Sequence, residues 1–567
     1  MTPQMDSALT IARAATLRPI ADIAAAMGIS DEYLEPYGRY VTKVRLDAIE
    51  ALAERPRGKY IVVTAVTPTP LGEGKTTTVL GLAQGLHHVG ATATAAIRQS
   101  SMGPTFGIKG GAAGGGYSQA APFEALNLHL TGDMHAVTAA HNQLAAMVDN
   151  HIYHGNELGL ATDAITWRRC LDVNDRALRN IVVGLGSGED GVPRQSGFDI
   201  TAASEVMAIL ALSTSLRDMR SRLGRIVVGF TKAGEPVTAE QLRAGGAMAV
   251  IMRDALKPNL LQTLENTPVL VHAGPFGNIA HGNSSVVADQ LGIHTADYLV
   301  TEAGFGADMG AERFFNIKSR VSGLTPDAAV IVVTVRALKA HSGAHRIVAG
   351  RPLPPALLAE NPEEVLQGGE NLRKQIENVQ LHGVTPVVAI NAFPEDHASE
   401  YEAIFSIASS LGVRCAVTRH FAEGGAGAVD LAREVIAATK EPSSFRMLYD
   451  SNASLREKIE TIAQRVYGAE GVDYSPQAAK RLDLFEKVGF GHFSVCIAKT
   501  HLSISSNPQL KGAPTGWRLP VREVRASAGA GFIYAICGDM RTMPGLSLHP
   551  AAENIDLDDD GNIVGLY

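Results

Sequence analysis

Short apolar runs, separated by glycine-bearing turns and amphipathic stretches, recur along most of the chain. Six of them are rich in β-branched residues, namely Tyr60–Val66, Ile181–Gly184, Ile226–Phe230, Tyr298–Thr301, Val330–Val335 and Val387–Ile390. Apolar character that is nearly continuous, rather than alternating, is typical of strands buried on both faces of a parallel sheet. We therefore predict that all six runs are strands of such a sheet.

Helix-like segments lie between these predicted strands, for example Ala203–Leu216 and Ala239–Leu256. Strands that alternate with helices imply βαβ units, which build a doubly wound, mostly parallel sheet. The predicted fold class is therefore α/β.

The chain has 567 residues, which exceeds the size at which a single core stops growing, about 250–300 residues. A proline-rich segment, Arg351–Glu364, interrupts the alternation, and a helical stretch, Asn452–Tyr467, follows a rise in charge. We predict a large region at 1–355, itself subdivided, and a C-terminal region at 356–567.

Charge argues against a nucleic-acid partner, since the net charge is −8 and no long basic stretch is present.

The segment Ile20–Leu34 has the apolar–turn–apolar pattern of a helix-turn-helix. Because it lacks basic recognition side chains, we favour a helical hairpin packed on the body of the protein.

The cysteines and the apolar runs indicate the cellular compartment of the protein. The four cysteines are scattered without metal-ligand spacing, which is typical of reduced core thiols. The N-terminus lacks the pattern of a secretory signal, and no run approaches the roughly 20 apolar residues of a membrane span. We expect a cytoplasmic protein with no membrane partner.

A glycine-bearing loop follows the first predicted strand and precedes a segment with helical spacing. Strand, glycine loop and helix in this order are the context of a phosphate-binding loop; an ordinary strand-to-helix turn with an exposed lysine is the alternative. We predict that the loop binds ATP and that the sheet is a P-loop-containing one with smaller additional α/β domains. The residues of the predicted ATP-binding loop are Thr69, Pro70, Leu71, Gly72, Glu73, Gly74, Lys75 and Thr76.

The residue types of the loop suit this chemistry. Gly72 and Gly74 let backbone amides converge on an anion at a helix N-terminus. Lys75 supplies a positive charge to the phosphoryl oxygens, and Thr76 offers a hydroxyl to Mg²⁺. The pattern departs from the usual one at Thr69, where a glycine is expected.

A second glycine cluster, Gly107–Tyr117, contains six glycines in eleven residues and Lys109 as its one charge. A backbone this bare indicates close approach to a ligand or another backbone, with a flexible linker as the alternative. Arg98 ends a predicted strand just before it, and ligands of parallel sheets bind beyond the carboxyl ends of strands. Its guanidinium could hold a carboxylate or an acyl phosphate, and a structural salt bridge is equally compatible.

Several titratable side chains follow in the segment FEALNLHLTGDMHAVTAAHNQ. Their spacing offers no HExxH-like arrangement, so we favour a polar active-site wall over a metal cluster. They are His129, Asp133, His135 and His141.

Two stretches carry a resemblance to a known family. GIKGGAAGGGY at Gly107–Tyr117 resembles the first signature of formate–tetrahydrofolate ligases, and VVTVRALKAHSG at Val332–Gly343 is similar to the second. Other stretches resemble the family in the same order and cover nearly the whole chain, among them LTGDMHA, GFDITAASEVMAILAL, PFGNIAHGNSS and TEAGFGADMGAERFF.

The resemblance implies a two-step reaction. Formate attacks the γ-phosphoryl group of MgATP to give formyl phosphate, and N10 of tetrahydrofolate then takes the formyl group. Lys75, together with Thr76 and its Mg²⁺, would neutralise charge on the transferred phosphoryl group. Arg98 would hold formate and then formyl phosphate. Asp133 is the candidate acceptor of the amine proton, with an orienting role as the alternative.

The resemblance also implies flat walls for the folate ring system. Phe305 would form one wall, and Phe421 stands where many relatives have a tryptophan, so the opposite wall would have a smaller face. Residues 356–567 would complete this folate site. A homotetramer and stimulation by a monovalent cation, K⁺ or NH₄⁺, are implied as well.

Two other functions remain open. One is a P-loop carboxylate–amine ligase with another acyl donor or acceptor, and the other is a non-ligase P-loop ATPase that binds partners.

Overall fold

The structure, a computed structural model, describes residues 7–109, 113–345, 347, 352–538 and 540–566. Residues 110–112 of the glycine cluster and Arg351 of the proline-rich segment therefore lie outside the described residues. The strands, in chain order, are β1 (Leu34–Pro36), β2 (Thr42–Val44), β3 (Lys59–Ala65), β4 (Ala93–Ile97), β5 (Gly114–Gly115), β6 (Ser118–Ala121), β7 (Leu160–Ile165), β8 (Arg169–Leu171), β9 (Ile181–Val183), β10 (Arg194–Ser196), β11 (Phe198–Ile200), β12 (Val227–Thr231), β13 (Pro236–Thr238), β14 (Asn259–Thr263), β15 (Pro268–Val271), β16 (Tyr298–Glu302), β17 (Ala328–Val333), β18 (Thr385–Asn391), β19 (Arg414–Thr418), β20 (Val472–Tyr474), β21 (Ser494–Lys499), β22 (Leu519–Val521), β23 (Glu523–Ser527), β24 (Phe532–Cys537), β25 (Asp556–Leu557) and β26 (Ile563–Val564).

Helices connect most of these strands. The α-helices are α1 (Ala8–Ala14), α2 (Ile20–Ala26), α3 (Asp47–Leu52), α4 (Lys75–His88), α5 (Met102–Pro104), α6 (Phe123–Asn127), α7 (Asp133–Tyr153), α8 (Glu205–Leu212), α9 (Leu216–Arg225), α10 (Gly245–Met252), α11 (Val286–Gly292), α12 (Ser319–Ser322), α13 (Val335–His341), α14 (Pro355–Leu358), α15 (Pro362–Leu381), α16 (Ala398–Ser410), α17 (His420–Glu423), α18 (Val429–Ala438), α19 (Leu455–Thr461) and α20 (Pro476–Lys487). Short 3₁₀ turns occur at Asp31–Tyr33, Arg176–Arg179, Thr201–Ala203, Gly424–Ala428, Phe490–His492 and Ala551–Asn554, and π-helical turns at Thr105–Lys109, Ala307–Ala311, Phe314–Lys318 and Ile462–Val466.

A large, mostly parallel sheet forms the centre of the molecule. Seven of its strands pair in parallel, in the order β15, β4, β16, β3, β17, β18, β19. Strands β14, β2 and β1 extend it antiparallel beyond β15, and β6 also pairs with β14. The α/β class and the mostly parallel sheet are confirmed.

Both faces of this sheet are covered, as its continuous apolar strands predicted. In β3, Ile61 and Val63 point into a core that also contains residues of α4 and α18. Tyr60 and Val62 point into a second core, on the opposite face, with residues of α15 and α16. A strand that must bury both faces favours apolar side chains at successive positions, which explains the run.

Two of the six predicted strands do not belong to the central sheet, so that part of the prediction is wrong. Ile181–Gly184 contributes β9 to a two-stranded antiparallel sheet with β10, and Val182 is 52% exposed. Ile226–Phe230 contributes β12 to a small antiparallel sheet with β7 and β13. Runs this short have no periodicity that separates a central strand from a peripheral one.

The predicted helices are shorter than expected. Ala203–Leu216 divides at Ser213–Ser215 into the end of α8 and the start of α9, because Ser215 caps α9 through its side chain. Ala239–Leu256 is helical only in α10. Ile20–Leu34 is not a helical hairpin, since α2 is followed by a 3₁₀ turn and β1.

Two further apolar cores lie beside the sheet. One is built around α7, α8, α9 and α10, and the other around β21, β24, α19 and α20 in the C-terminal part. Strands β18 and β19 follow residue 355 and complete the central sheet, and the division at 355/356 stays a prediction. Among the described residues, every helix is too short or too polar to cross a bilayer.

The contact between α13 and α15 depends on a glycine. A Cβ atom at buried Gly368 would overlap the carbonyl oxygen of Leu338. We expect Gly368→Ala to destabilise the protein by about 1–3 kcal/mol, because the helices must separate. Gly246→Ala in α10 is the control, since its Cβ atom would meet nothing within 4 Å and a helical alanine is stabilising. Calorimetric melting temperatures check this, and equal temperatures for both variants would contradict it.

Candidate active site

A tight loop joins β3 to α4, and two glycines give it its conformation. Gly72 and Gly74 have φ angles of 76° and 78°, in the left-handed region that other residues avoid. The loop turns into α4 at Gly74, where a Cβ atom would press against Nδ2 of Asn391. The first amides of α4 thus stand at the end of a 14-residue helix, whose dipole favours an anion there.

Thr69, which departs from the usual loop pattern, is held by a buried carboxylate. Glu73 accepts hydrogen bonds from the backbone N and Oγ1 of Thr69 at 2.8 and 3.0 Å. Its other oxygen accepts one from Oγ1 of Thr334, directly after β17, at 3.0 Å. Burial raises the pKa of Glu73, against the opposing effects of Thr69 and Lys75. The threonine hydroxyl therefore makes a hydrogen bond to Glu73 that a glycine could not make. Through Glu73, it helps to hold the loop at the end of β17.

Glu302, which the sequence analysis missed, joins two predicted site residues. It is the last residue of β16, the strand between β3 and β4. Oε2 of Glu302 accepts a hydrogen bond from Oγ1 of Thr76 at 2.7 Å, and Oε1 accepts one from Nε of Arg98 at 3.0 Å. The side chain of Glu302 is 4% exposed, against 28% for Arg98. Three adjacent strands thus deliver these residues to one edge.

The pKa of Glu302 is lower than that of an ordinary glutamate. Burial by itself raises this pKa, but the charge of Arg98 and the hydrogen bonds from Thr76 and Arg98 outweigh it. Because the folded-state pKa lies below the unfolded-state pKa of about 4.3, the ionised side chain stabilises the fold at pH values above 4.3. This stabilisation is lost as the pH falls through the folded-state pKa. The carboxylate is therefore ionised at neutral pH.

A small cavity of about 130 Å³ lies beside this contact. It is lined by Thr76, Arg98, Gln99, Ser100, Ser101, Pro104, Thr105, Ala202, Gly274, Phe276 and Glu302. Nε2 of Gln99 is buried and has no hydrogen-bond partner among the described residues. A guanidinium together with an unpaired amide donor suits a small anion.

Asp133 lies elsewhere. It begins α7, where its Oδ1 pairs with Nζ of Lys43 at 2.8 Å and its Oδ2 accepts a hydrogen bond from Nδ2 of Asn259 at 2.8 Å. The side chains of Asp133 and Lys43 are 3% and 1% exposed. The structure does not bring Asp133 to the walls of the cavity that contains Arg98.

The three histidines of the same segment also separate. Nδ1 of His129 and Nε2 of His135 are 2.8 Å apart at an exposed position. His141 is buried and bonded to Ser204 and to the carbonyl of Arg168, and burial lowers its pKa to about 4. In the part of the chain that the structure describes, no group of three or more His, Cys, Asp or Glu side chains could hold a metal ion.

The two predicted folate walls have different neighbours. Phe305 has a φ angle of 60°, and its ring stacks on His501 with centroids 4.6 Å apart. Phe421, in α17, is 46% exposed and packs against Gly115 and Gly116. The described ring contacts do not pair Phe305 with Phe421.

The described residues at the two ends of the glycine cluster have different neighbours. The π-helical turn that begins at Thr105, a cavity residue, leads into it. At its far end, the backbone N of Tyr117 donates to the carbonyl of Phe421 at 2.8 Å, and a Cβ atom at Gly116 would overlap that carbonyl. Close backbone approach, as predicted for the cluster, is confirmed at Gly116.

Two other features had no signal in the sequence. Phe393 follows β18, and the guanidinium carbon of Arg336 lies 3.9 Å from its ring centroid. A larger cavity of about 650 Å³ lies between α8, β12 and β23, but it contains none of the loop residues, nor Arg98. His141 lines the larger cavity, but the smaller cavity is the candidate site, because two of the predicted site residues, Thr76 and Arg98, line it together.

Comparison with known proteins agrees with the resemblance. The sequence profile of the formate–tetrahydrofolate ligase family matches residues 6–567. Formate–tetrahydrofolate ligase of Saccharopolyspora erythraea is 70% identical over 560 residues, which cover 99% of each chain. Formate–tetrahydrofolate ligase 1 of Rubrobacter xylanophilus is 68% identical over 571 residues, again 99% of each chain. That of Cutibacterium acnes is 63% identical over 563 residues, 99% of this chain and 100% of the relative. The chain therefore belongs to the formate–tetrahydrofolate ligase family.

Proposed function

We propose that the protein ligates formate to tetrahydrofolate at the expense of ATP, and that it yields 10-formyltetrahydrofolate, ADP and phosphate through formyl phosphate. The observation that carries this proposal is the contact of Thr76 and Arg98 through the buried carboxylate of Glu302. It supports a site in which the start of α4, the proposed phosphate-binding end, and Arg98, the proposed holder of the carboxylate, line the same cavity. The cavity is small, about 130 Å³, which favours a one-carbon acid over a larger acyl donor. Membership of the family supports the same reaction.

The nucleotide would bind at the loop Thr69–Thr76, in a P-loop-containing, doubly wound sheet. The strand order supports this, since the chain passes from β3 to β4 on one side and adds β17, β18 and β19 on the other. Backbone amides at the start of α4 would bind phosphate oxygens, and Lys75 would add its charge. The adjacent oxygens of Thr76 and Glu302 fit Mg²⁺, which prefers oxygen ligands. Magnesium bound with ATP supplies positive charge beside the transferred phosphoryl group.

In the first step, a formate oxygen attacks the γ-phosphorus and the bond to the β-phosphate oxygen breaks, which releases ADP. Arg98 would orient the formate. Its Nε is bonded to Glu302, while neither of its Nη atoms has a hydrogen-bond partner among the described residues. Glu302 would thus fix the guanidinium plane and leave two donors for the anion.

In the second step, N10 of tetrahydrofolate attacks the formyl carbon, phosphate leaves, and the amine loses a proton. We keep Asp133 as the candidate for this proton, although its two bonded oxygens favour the orienting role. Phe305 and Phe421 remain the proposed walls for the folate rings, with residues 356–567 completing the site around Phe421. We also propose stimulation by K⁺ or NH₄⁺, a cytoplasmic location and a homotetramer, each on the basis of the resemblance or the sequence pattern.

The reaction is tested by ADP release with formate and tetrahydrofolate each omitted in turn. We expect turnover only when both are present, and loss of phosphoryl transfer in Lys75→Ala with an unchanged circular dichroism spectrum. Turnover with neither substrate would favour a non-ligase ATPase, and turnover with another carboxylate would favour a different acyl donor. Near-normal rates in Lys75→Ala would refute the assignment of the loop.

Glu302→Gln tests the contact between the two halves of the site. Loss of the negative charge frees Arg98 to move, so we expect kcat/KM for formate to fall by about 100-fold, with a smaller change in the affinity for ATP. Glu240→Gln, which breaks an exposed pair with Arg220, is the matched control and should leave both unchanged. Steady-state kinetics over formate concentration measure this, and an unchanged KM and kcat would exclude the proposed role of Glu302.

Asp133→Asn separates the two roles of Asp133. Because Lys43 would stay buried without its counter-charge, we expect a stability loss of about 3–5 kcal/mol for either role. The double variant Lys43→Met/Asp133→Asn should recover much of it. A proton-acceptor role predicts in addition that transfer from preformed formyl phosphate slows in both variants. Calorimetry combined with single-turnover assays distinguishes the outcomes.

A further inference from the structure

The larger cavity, of about 650 Å³, lies between two apolar cores. It is lined by α8, which belongs to the core around α7–α10, and by α20 and β23, which belong to the C-terminal core. Among the described residues it has no lining residue in common with the smaller cavity. Ligand pockets typically have volumes of roughly 300–1,000 Å³ and occur preferentially where separately packed parts of a protein meet. The larger cavity therefore has the size and the position of a second ligand site.

Aromatic side chains form much of the apolar wall of this cavity. They are Trp167, Phe230, Phe485, Phe532 and Tyr534. Trp167 stacks on His141, which also lines the cavity, with ring centroids 4.2 Å apart and 22° between the ring planes. Nε1 of Trp167 donates to the carbonyl of His141 at 3.1 Å, so the indole is fixed in place. Walls of this kind suit the flat face of another aromatic ring.

Three of the carboxyl groups in the wall are already engaged or neutral. Oε1 of Glu523 pairs with Nε of Arg525 at 2.6 Å, and Oδ1 of Asp199 accepts a hydrogen bond from Oγ1 of Thr542 at 2.5 Å. Burial raises the pKa of Glu205 to about 8, so this side chain is mostly protonated at neutral pH. None of the three therefore presents a free negative charge to a ligand.

Arg481, on α20, is the charge in the wall that lacks compensation. Of the four arginines that line the cavity in the described part of the chain, the other three each lie within 4 Å of a carboxylate oxygen. Arg481 is half-buried, and its guanidinium carbon lies 5.3 Å from the ring centroid of Phe230, but it pairs with no described carboxylate. Asp163 also has no ion-pair partner among the described residues, yet it is exposed, so water solvates it. A partly desolvated guanidinium favours an anion beside it.

A buried hydroxyl in the same wall has no partner. Ser196, in β10, is 7% exposed, and its Oγ makes no hydrogen bond to any described residue. A buried polar atom without a partner costs free energy, and in native structures it indicates a bound molecule that satisfies it. Ser196 therefore offers a hydrogen bond to the contents of the cavity.

We propose that the larger cavity binds an organic anion in which a planar aromatic ring carries a carboxylate or a similar anionic group. The ring packs against the aromatic wall, the anionic group binds the guanidinium of Arg481, and the hydroxyl of Ser196 supplies a further hydrogen bond. This inference goes beyond the proposed reaction and does not depend on it, because the cavity contains none of the residues assigned to that reaction.

The charge of the ligand is tested with three probes of matched shape, cinnamate, cinnamamide and cinnamylammonium. Isothermal titration calorimetry of the full-length protein at neutral pH should show one high-affinity site for cinnamate per chain. Cinnamamide should bind at least about tenfold more weakly, because a hydrogen bond from a guanidinium to a charged acceptor is stronger than one to a neutral acceptor. Cinnamylammonium should bind more weakly still. Absence of cinnamate binding, equal affinity for the amide, or tighter binding of the cation would overturn the proposal.

The place of binding is tested with Arg481→Gln, which should weaken cinnamate binding about tenfold and leave cinnamamide binding unchanged. Lys480→Gln is the matched control, since Lys480 is the preceding residue of α20, is exposed and does not line the cavity. It should leave the affinity for cinnamate unaltered. Full affinity in Arg481→Gln, or an equal loss in Lys480→Gln, would refute the role of Arg481.

Two further variants distinguish this cavity from the proposed folate walls. Ala208→Phe, on α8, places a ring into the cavity and should abolish the binding of all three probes, with calorimetric melting as the check that the variant is folded. Phe421→Ala should keep the affinity for cinnamate, because Phe421 does not line the larger cavity. Loss of binding in Phe421→Ala, or full affinity in a folded Ala208→Phe variant, would assign the probe to another site and contradict the proposal.

Discussion

Burial of a parallel sheet on both faces is the constraint on which the rest of this molecule depends. Helices must cover each face, so the chain returns over the sheet between its parallel strands, and the carboxyl ends of those strands point to one edge. The neighbours β4, β16 and β3 deliver Arg98, Glu302 and Thr76 to that edge. Thr76 and Glu302 are 226 residues apart in the chain, and only the strand order makes them hydrogen-bond partners.

Buried ion pairs recur in the molecule, and they differ in how accessible their charges remain. In three of these pairs both side chains are at most 3% exposed, so the two charges neutralise each other and are not accessible to a ligand. They are Lys43–Asp133, Lys318–Asp289 and Lys499–Asp308. In the Arg98–Glu302 pair the arginine is 28% exposed and faces a cavity. A charge that is oriented by a buried partner but still accessible can act on a ligand, because part of its field remains uncompensated.

The glycine loop and the glycine cluster use the same backbone property for different ends. In the loop, the left-handed backbone of Gly72 and Gly74 turns the chain into the start of α4. In the cluster, a missing Cβ lets Gly116 lie against the carbonyl of Phe421. The one position where the loop abandons glycine, Thr69, is the one where a hydroxyl can reach the buried carboxylate of Glu73. Glycine therefore occurs where the backbone needs a left-handed conformation or a close approach, and another residue occurs where its side chain makes a contact.

The sequence by itself determined what depends on neighbouring residues. The α/β class, the strand-loop-helix order around Lys75 and the bare backbone of the glycine cluster all follow from local composition and spacing. The resemblance to formate–tetrahydrofolate ligases rests on such local patterns too, and the comparisons confirm it. Only the tertiary structure decided which charges meet. In the folded chain Glu302 bonds to Thr76 and Arg98, and Asp133 pairs with Lys43. Strands β9 and β12 lie outside the central sheet. These outcomes depend on residues far apart in the chain, and a short apolar run or a single carboxylate carries no local signal of its distant partner.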